Sequence, residues 1–178
     1  MLKLGAVSFG TFDETENKAP PPNLKPIPGL VVRAGDTLIS RAKVPRLVGA
    51  CAYVEATRPR LLLCDKIFRV VPHPSTELDL RYLAEVMKTP HLRRQIEDAA
   101  TGASPTMQNI TKPSLLALRL PLQPPDVQRR LVEVLHGSQA EAARERATAE
   151  ALAAPAAAEL EARLLGTLPV SANRAGSP

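Results

Sequence analysis

The chain has 178 residues, with 23 Lys and Arg against 18 Asp and Glu, a formal net charge of +5, two cysteines and no tryptophan. That length holds one domain with a proper core plus an appendage, and is too short for two full domains. No run approaches the ~18 apolar residues of a membrane span and no signal-peptide apolar core opens the chain, so the expectation is a soluble, cytoplasmic protein with no membrane partner.

Charge is unevenly spread. Residues 1–139 hold 19 basic against 13 acidic side chains, net +6, and residues 140–178 hold 4 against 5, net −1. Within the front part, Arg33, Arg41, Lys43, Arg46, Arg58, Arg60, Lys66 and Arg69 stand against Asp36, Glu55 and Asp65, a local +5 that suits a phosphate backbone or, equally, a solvated basic face. Cys51 and Cys64 lie in apolar runs with no C-x-x-C spacing and no histidine placed for a metal, which predicts small buried side chains rather than a disulfide or a zinc site. The aromatics are Phe9, Phe12, Phe68, Tyr53 and Tyr82. They are too few for the stacking platform that single strands demand, so a nucleic-acid partner would be a duplex.

In chain order, a short strand around "KLGAVSF" precedes "TENKAPPPNLKPIPG" (15–29), whose five prolines predict an extended loop. Short β-branched and Leu-rich runs follow at 30–33, 37–41, 47–55, 61–64 and 66–71, broken by Gly35-Asp36, Pro45 and Arg58-Pro59. They predict a small, curled, mostly antiparallel sheet. "ELDLRYLAEVMKTP" changes to helical spacing, with Leu80, Leu83, Val86 and Met87 on one stripe, Asp79 at the start and Pro90 as the stop. A second helix, "HLRRQIEDAA", leads into the polar stretch "ATGASPTMQNI" (100–110), a predicted loop rich in hydroxyl and amide groups. "SLLALRLPL" has the look of one more buried strand. Pro125 then opens a helix with Val127, Leu131, Val134 and Leu135 on one face. Beyond Gly137 about half of the residues are Ala or Glu, the composition of a long helix or helix pair whose small-residue stripe admits another helix. Pro155 predicts a kink or break. The fold class is therefore α+β: a small curled sheet with flanking helices, then a long C-terminal helix or helical hairpin. The domain boundaries expected are 1–123, 124–168 for a helical spacer, and 169–178 as a disordered terminus.

Catalytic motifs fail on inspection. "LQPPDV" has Asp126 where an amino-methyltransferase site needs an aromatic, and no Gly-rich strand-to-helix turn is present to hold a nucleotide. Glu16-x-Lys18 has a nuclease half-site's spacing without the rest of that site. His73, His91 and His136 stand alone, without a triad or metal set. The chain reads as non-catalytic, with no cofactor of its own.

"GDTLISRAKVPRLVGACAYV", "LLLCDKIFRVVP", "TGASPTMQNITKPSLLALRLPL" and "PPDVQRRLVEVL", in that order, resemble the target-recognition half of a type I restriction-modification specificity subunit. The likeness covers roughly residues 3–166. The chain departs from the family pattern at Cys64, where serine is usual, at Gln123 and at Asp126-Val127. The resemblance implies a protein that selects a double-stranded DNA sequence and does no chemistry. Its partners would be a methyltransferase subunit, which brings S-adenosylmethionine, and a restriction subunit. A second recognition domain, or a copy of the same chain, would pair through the helical spacer. Candidate DNA contacts are Ser40, Arg41, Lys43, Arg46, Lys66, Arg69, Thr101, Ser104, Thr106, Asn109 and Lys112. Arginine suits guanine edges, and small hydroxyls and amides approach a groove closely. Asn109 serves equally well as a turn cap that packs Ile110 into the core, and Lys66 and Arg69 equally well as the wet face of a strand. The alternative function is a protein-interaction module docking through its C-terminal helix, with the basic patch incidental.

Overall fold

A computed structural model describes residues 1–168 apart from Leu24, Pro26, Pro105 and Thr106, and gives Lys43, Arg46, Ala103 and Ser104 by their backbone alone. The chain divides into two compact units, Met1–Val132 and a second beginning at Glu133.

The first unit is organised around β3 (Thr37–Ser40), the middle strand of a three-stranded sheet; β1 (Val7–Ser8) and β2 (Thr11–Phe12) form a separate hairpin, and β4 (Ala42–Lys43) follows directly on β3. β5 (Cys51–Tyr53) and β6 (Ile67–Arg69) flank β3, both antiparallel, with Leu38 opposite Ala52 and Arg69, and Ile39 opposite Cys51 and Phe68. All four residues of β3 are buried, because both faces of the sheet are covered. Leu38, Ala52 and Ile67 face a core with Leu2, Ala6, Val7, Val32, Val54 and Leu61. Ile39 and Cys51 face the other core, with Tyr82, Leu83, Val86, Leu92, Ile96 and Ile110. The two hydroxyls of β3 are satisfied internally: Thr37 Oγ1 donates to the Leu80 carbonyl at 3.0 Å and Ser40 Oγ to the Leu47 carbonyl at 3.1 Å.

The predicted runs at 30–33 and 61–64 meet only in an isolated Val31–Leu62 bridge. The run 47–55 is a strand only over Cys51–Tyr53. Before it Pro45–Leu47 form a 3₁₀ turn and Gly49 adopts a left-handed φ of 68°. A Cβ at Gly49 would also lie 2.7 Å from Ile96 Cγ2, so both conformation and space require glycine there.

α1 (Leu80–Val86) starts where the sequence places it: Asp79 accepts from the Arg81 and Tyr82 amides at 2.7 and 3.1 Å. Pro90 is not merely a stop. It sits at the first position of α2 (Pro90–Ala99), where its missing N–H costs nothing, and Thr89 caps that helix. Within the predicted loop 100–110, residues 101–104 and 107–109 are instead strands. β7 (Thr101–Ser104) pairs with β8 (Met107–Asn109), and β8 pairs with β4, making a second three-stranded antiparallel sheet. The predicted strand "SLLALRLPL" is also different. Thr111 caps α3 (Lys112–Leu116), Pro113 fits its first turn, and Leu116 is exposed. The extended residues after it are held by a side chain acting as a strand: Gln95 Nε2 donates to the Arg119 carbonyl and Gln95 Oε1 accepts from the Arg119 amide, both at 2.9 Å.

The last helix, α4, is 40 residues, Pro125–Leu164, with Pro155 inside it. The chain forms no break and no helical hairpin there. The helix ends at Gly166, whose φ of 72° turns the chain so that the Thr167 and Leu168 amides return to the Ala162 carbonyl at 2.9 and 3.1 Å. No described helix is long and apolar enough to cross a membrane.

Candidate nucleic-acid interface

Two segments about sixty residues apart in sequence meet at the second sheet. Ala42 lies opposite Asn109 and Lys43 opposite Gln108, while Thr101 lies opposite Asn109 on the other side. Arg41 joins this sheet to the first: its amide donates to the Lys66 carbonyl at 2.8 Å and its carbonyl accepts from the Ile110 amide at 2.9 Å. Backbone pairing therefore gathers Arg41, Lys43, Lys66, Thr101 and Asn109, with Lys112 at the start of α3 just beyond.

Arg41, Lys66, Thr101 and Lys112 are exposed. The Arg41 guanidinium stands 5.9 Å from the Phe68 ring centroid, a diagonal neighbour across the β3–β6 pairing, so the aromatic supports the cation without neutralising it. Lys66 meets Asp65 at 3.5 Å with both side chains solvated, which holds it weakly. Asn109 is half-buried and Ile110 fully buried, so the strand end packs as it presents its polar groups.

Other candidates are placed differently. Ser40 is fully buried with its hydroxyl bound to Leu47, and presents nothing to a partner. Arg69 is turned inward: it pairs with Asp36 at 2.8 Å, donates to the Gly29 carbonyl at 2.8 Å and to the Val31 carbonyl, and so ties the end of the proline-rich segment to the sheet. The backbone of Arg46 lies in the 3₁₀ turn Pro45–Leu47 and that of Ser104 at the end of β7. Thr106 lies outside the described residues.

Two side chains that the sequence did not single out tie segments of the first unit together. Arg93 donates to the Val48 carbonyl at 2.8 Å and stacks 4.7 Å from the Phe9 ring centroid, and burial lowers its pKa. Gln128, fully buried on the first turn of α4, donates to the Glu77 and Gln123 carbonyls at 2.8 and 2.6 Å and accepts from the Asp79 amide at 2.8 Å. It thereby fixes the residue that caps α1. Its place in "PPDVQRRLV" was the available signal, but a polar residue on a helix gives no hint that it is buried.

Among the described residues no group of three or more His, Cys, Asp or Glu side chains is placed to hold a metal ion. Backbone pairing thus brings several exposed cationic and hydroxyl-bearing residues close together around the second sheet.

No protein-family model matches the chain. A search of curated proteins finds the type I restriction enzyme EcoEI specificity subunit of Escherichia coli, 29% identical over 136 residues, which are 76% of this chain and 23% of that protein. The chain thus spans under a quarter of the relative it matches, and it is similar to a type I restriction enzyme specificity subunit over most of its own length.

Proposed function

We propose that the chain is a sequence-specific double-stranded DNA recognition module of a type I restriction-modification system. Residues 1–123 read the target and the helix beyond serves as spacer. The chain itself is non-catalytic. It directs a methyltransferase subunit, which carries S-adenosylmethionine, and a restriction subunit to the site. The observation that carries this reading is the similarity to the EcoEI specificity subunit, and the exposed cations around Arg41 supply the chemistry it needs. Lysines and hydroxyls neutralise and position phosphates, while Arg41 offers the planar two-donor edge that guanine accepts in the major groove.

Selection of duplexes from a random library, followed by titration at several salt concentrations, tests it. Binding to the selected site falls steeply with salt, and Arg41→Ala weakens it by ~1–3 kcal/mol while affecting random DNA far less. Equal binding of parent and variant to every duplex removes Arg41 from base readout. No selected sequence at all removes the function. A protein-interaction module remains the alternative, motivated by the exposed Leu152, Leu160 and Leu164 of α4.

A further inference from the structure

We infer that Phe68 is the positioning residue for Arg41: its ring holds the guanidinium ready for a guanine edge and so sharpens the preference for guanine at one base pair. This rests on the duplex-recognition reading above. Among the described residues three arginines lie over aromatic rings. Arg93 stands 4.7 Å from the Phe9 ring centroid, Arg81 4.8 Å from that of Tyr53 and Arg41 5.9 Å from that of Phe68. The first two are committed within the fold: Arg93 donates to the Val48 carbonyl at 2.8 Å and meets Glu97 at 3.3 Å, and Arg81 meets Glu55 at 2.6 Å. The Arg41 guanidinium makes no hydrogen bond or ion pair with any described residue, and the side chain is exposed. Its N–H donors are left for a partner.

The ring beside it is fixed. Phe68 lies opposite Ile39 in the β3–β6 pairing, and its half-buried side chain packs on the core that holds Ile39, Leu83 and Ile110. Arg41 is anchored at its backbone, through the Lys66 carbonyl on one side and the Ile110 amide on the other. What remains free is the arginine side chain, and a long exposed side chain loses rotamer freedom when it binds. A ring face within ~6 Å attracts the guanidinium without consuming a donor, so part of that freedom is given up before a base arrives. Reading guanine O6 and N7 together depends on how the guanidinium plane is aimed, which makes its support a matter of specificity as well as affinity.

The test uses the full chain and duplexes selected from a random library, with each guanine replaced in turn by 7-deazaguanine, which lacks the N7 acceptor. Parent protein prefers guanine at one position, and Arg41→Ala removes that preference. Phe68→Leu lowers the same ratio by about two- to fivefold, the value of an exposed cation–π contact, and Phe68→Tyr restores it. Phe68→Leu added to Arg41→Ala changes the ratio no further. Phe68→Met repeats the Phe68→Leu result with a second non-aromatic side chain. Because the ratio compares two duplexes on one protein preparation, a partial loss of folded protein cancels from it. A ring that serves only the core weakens both duplexes alike and leaves the ratio at the parent value, which overturns the inference. So does a loss that Phe68→Tyr fails to restore. A guanine preference that Arg41→Ala retains overturns it while leaving duplex recognition intact. Failure to select any duplex overturns the function proposed above, and this inference with it.

Discussion

Cys51 lies fully buried at the sheet's core face, and burial pushes its thiol from the ordinary 9.0 up to about 12. The folded state therefore keeps its proton where the unfolded chain loses it, and stability drops as pH climbs from 9 towards 12. The slope is ~1.4 kcal/mol per pH unit over that window. Denaturant midpoints measured from pH 8 upward should fall more steeply for the parent than for Cys51→Ala; parallel curves would show that the thiol does not titrate this way. Thiol alkylation at pH 8 should reach the half-buried Cys64 well before Cys51. Gln128 makes a second case at this scale. Gln128→Leu keeps most of the volume but strands the Asp79 amide and two carbonyls, a loss of ~2–4 kcal/mol by chemical denaturation. A loss below ~0.5 kcal/mol, the scale of an ordinary surface change, would mean that solvent replaces all three bonds.

The hairpin β7–β8 exists because of its partners rather than its own propensity. Thr101, Gly102, Gln108 and Asn109 form poor strand sequence in isolation, yet β4 offers the free edge that β8 needs. At Gly102 the strands leave no room for a side chain: an added Cβ would meet the Met107 carbonyl oxygen at 2.4 Å and Gln108 Cα at 3.1 Å. Backbone cannot yield as a flexible side chain does. Gly102→Ala should open the hairpin, with a cost of ~1–3 kcal/mol confined to it. Amide exchange of Met107–Asn109 then accelerates by about tenfold or more while the β3 amides keep their protection. Unaltered exchange in the hairpin would contradict this close packing.

At the scale of the whole molecule, the exposed apolar side chains of α4 are the unspent resource. At ~100° per residue, Val134, Leu135, Leu152, Leu160 and Leu164 fall within about 120° of arc, and all are exposed. A helix of 40 residues runs ~60 Å, more than the first unit's core uses, since only Gln128 and Val132 of it are buried. The proposed spacer role therefore predicts that a second copy, or a second recognition domain, covers this stripe. Self-pairing by a two-fold axis sets two identical DNA-reading surfaces in inverted orientation, and the selected site would be an interrupted palindrome. Sedimentation at micromolar concentration should give a dimer that reverts to monomer on deletion of residues 138–178. A mass that stays monomeric with and without that deletion rules out self-pairing and leaves a different helix as the partner.

The sequence by itself determined what neighbours within a turn or two decide. The Asp79 cap, the α1 stripe, the Pro125 helix start and the α+β class are all legible in it, since each depends on contacts three or four residues apart. The basic surplus was legible too. Tertiary structure alone decided which candidates the backbone brings together. Lys43 meets Gln108 through backbone bonds between segments with no common pattern, and Ser40 and Arg69 turn inward because Leu47 and Asp36 satisfy them there. The same reason explains the two misread segments. Residues 101–104 and 107–109 are strands because an edge was free, and "SLLALRLPL" begins as a helix because Thr111 caps it and Gln95 takes the place of a neighbouring strand. Pro155 carries the opposite lesson: one lost hydrogen bond and a local clash are costs of a few kcal/mol, which a 40-residue helix absorbs without breaking.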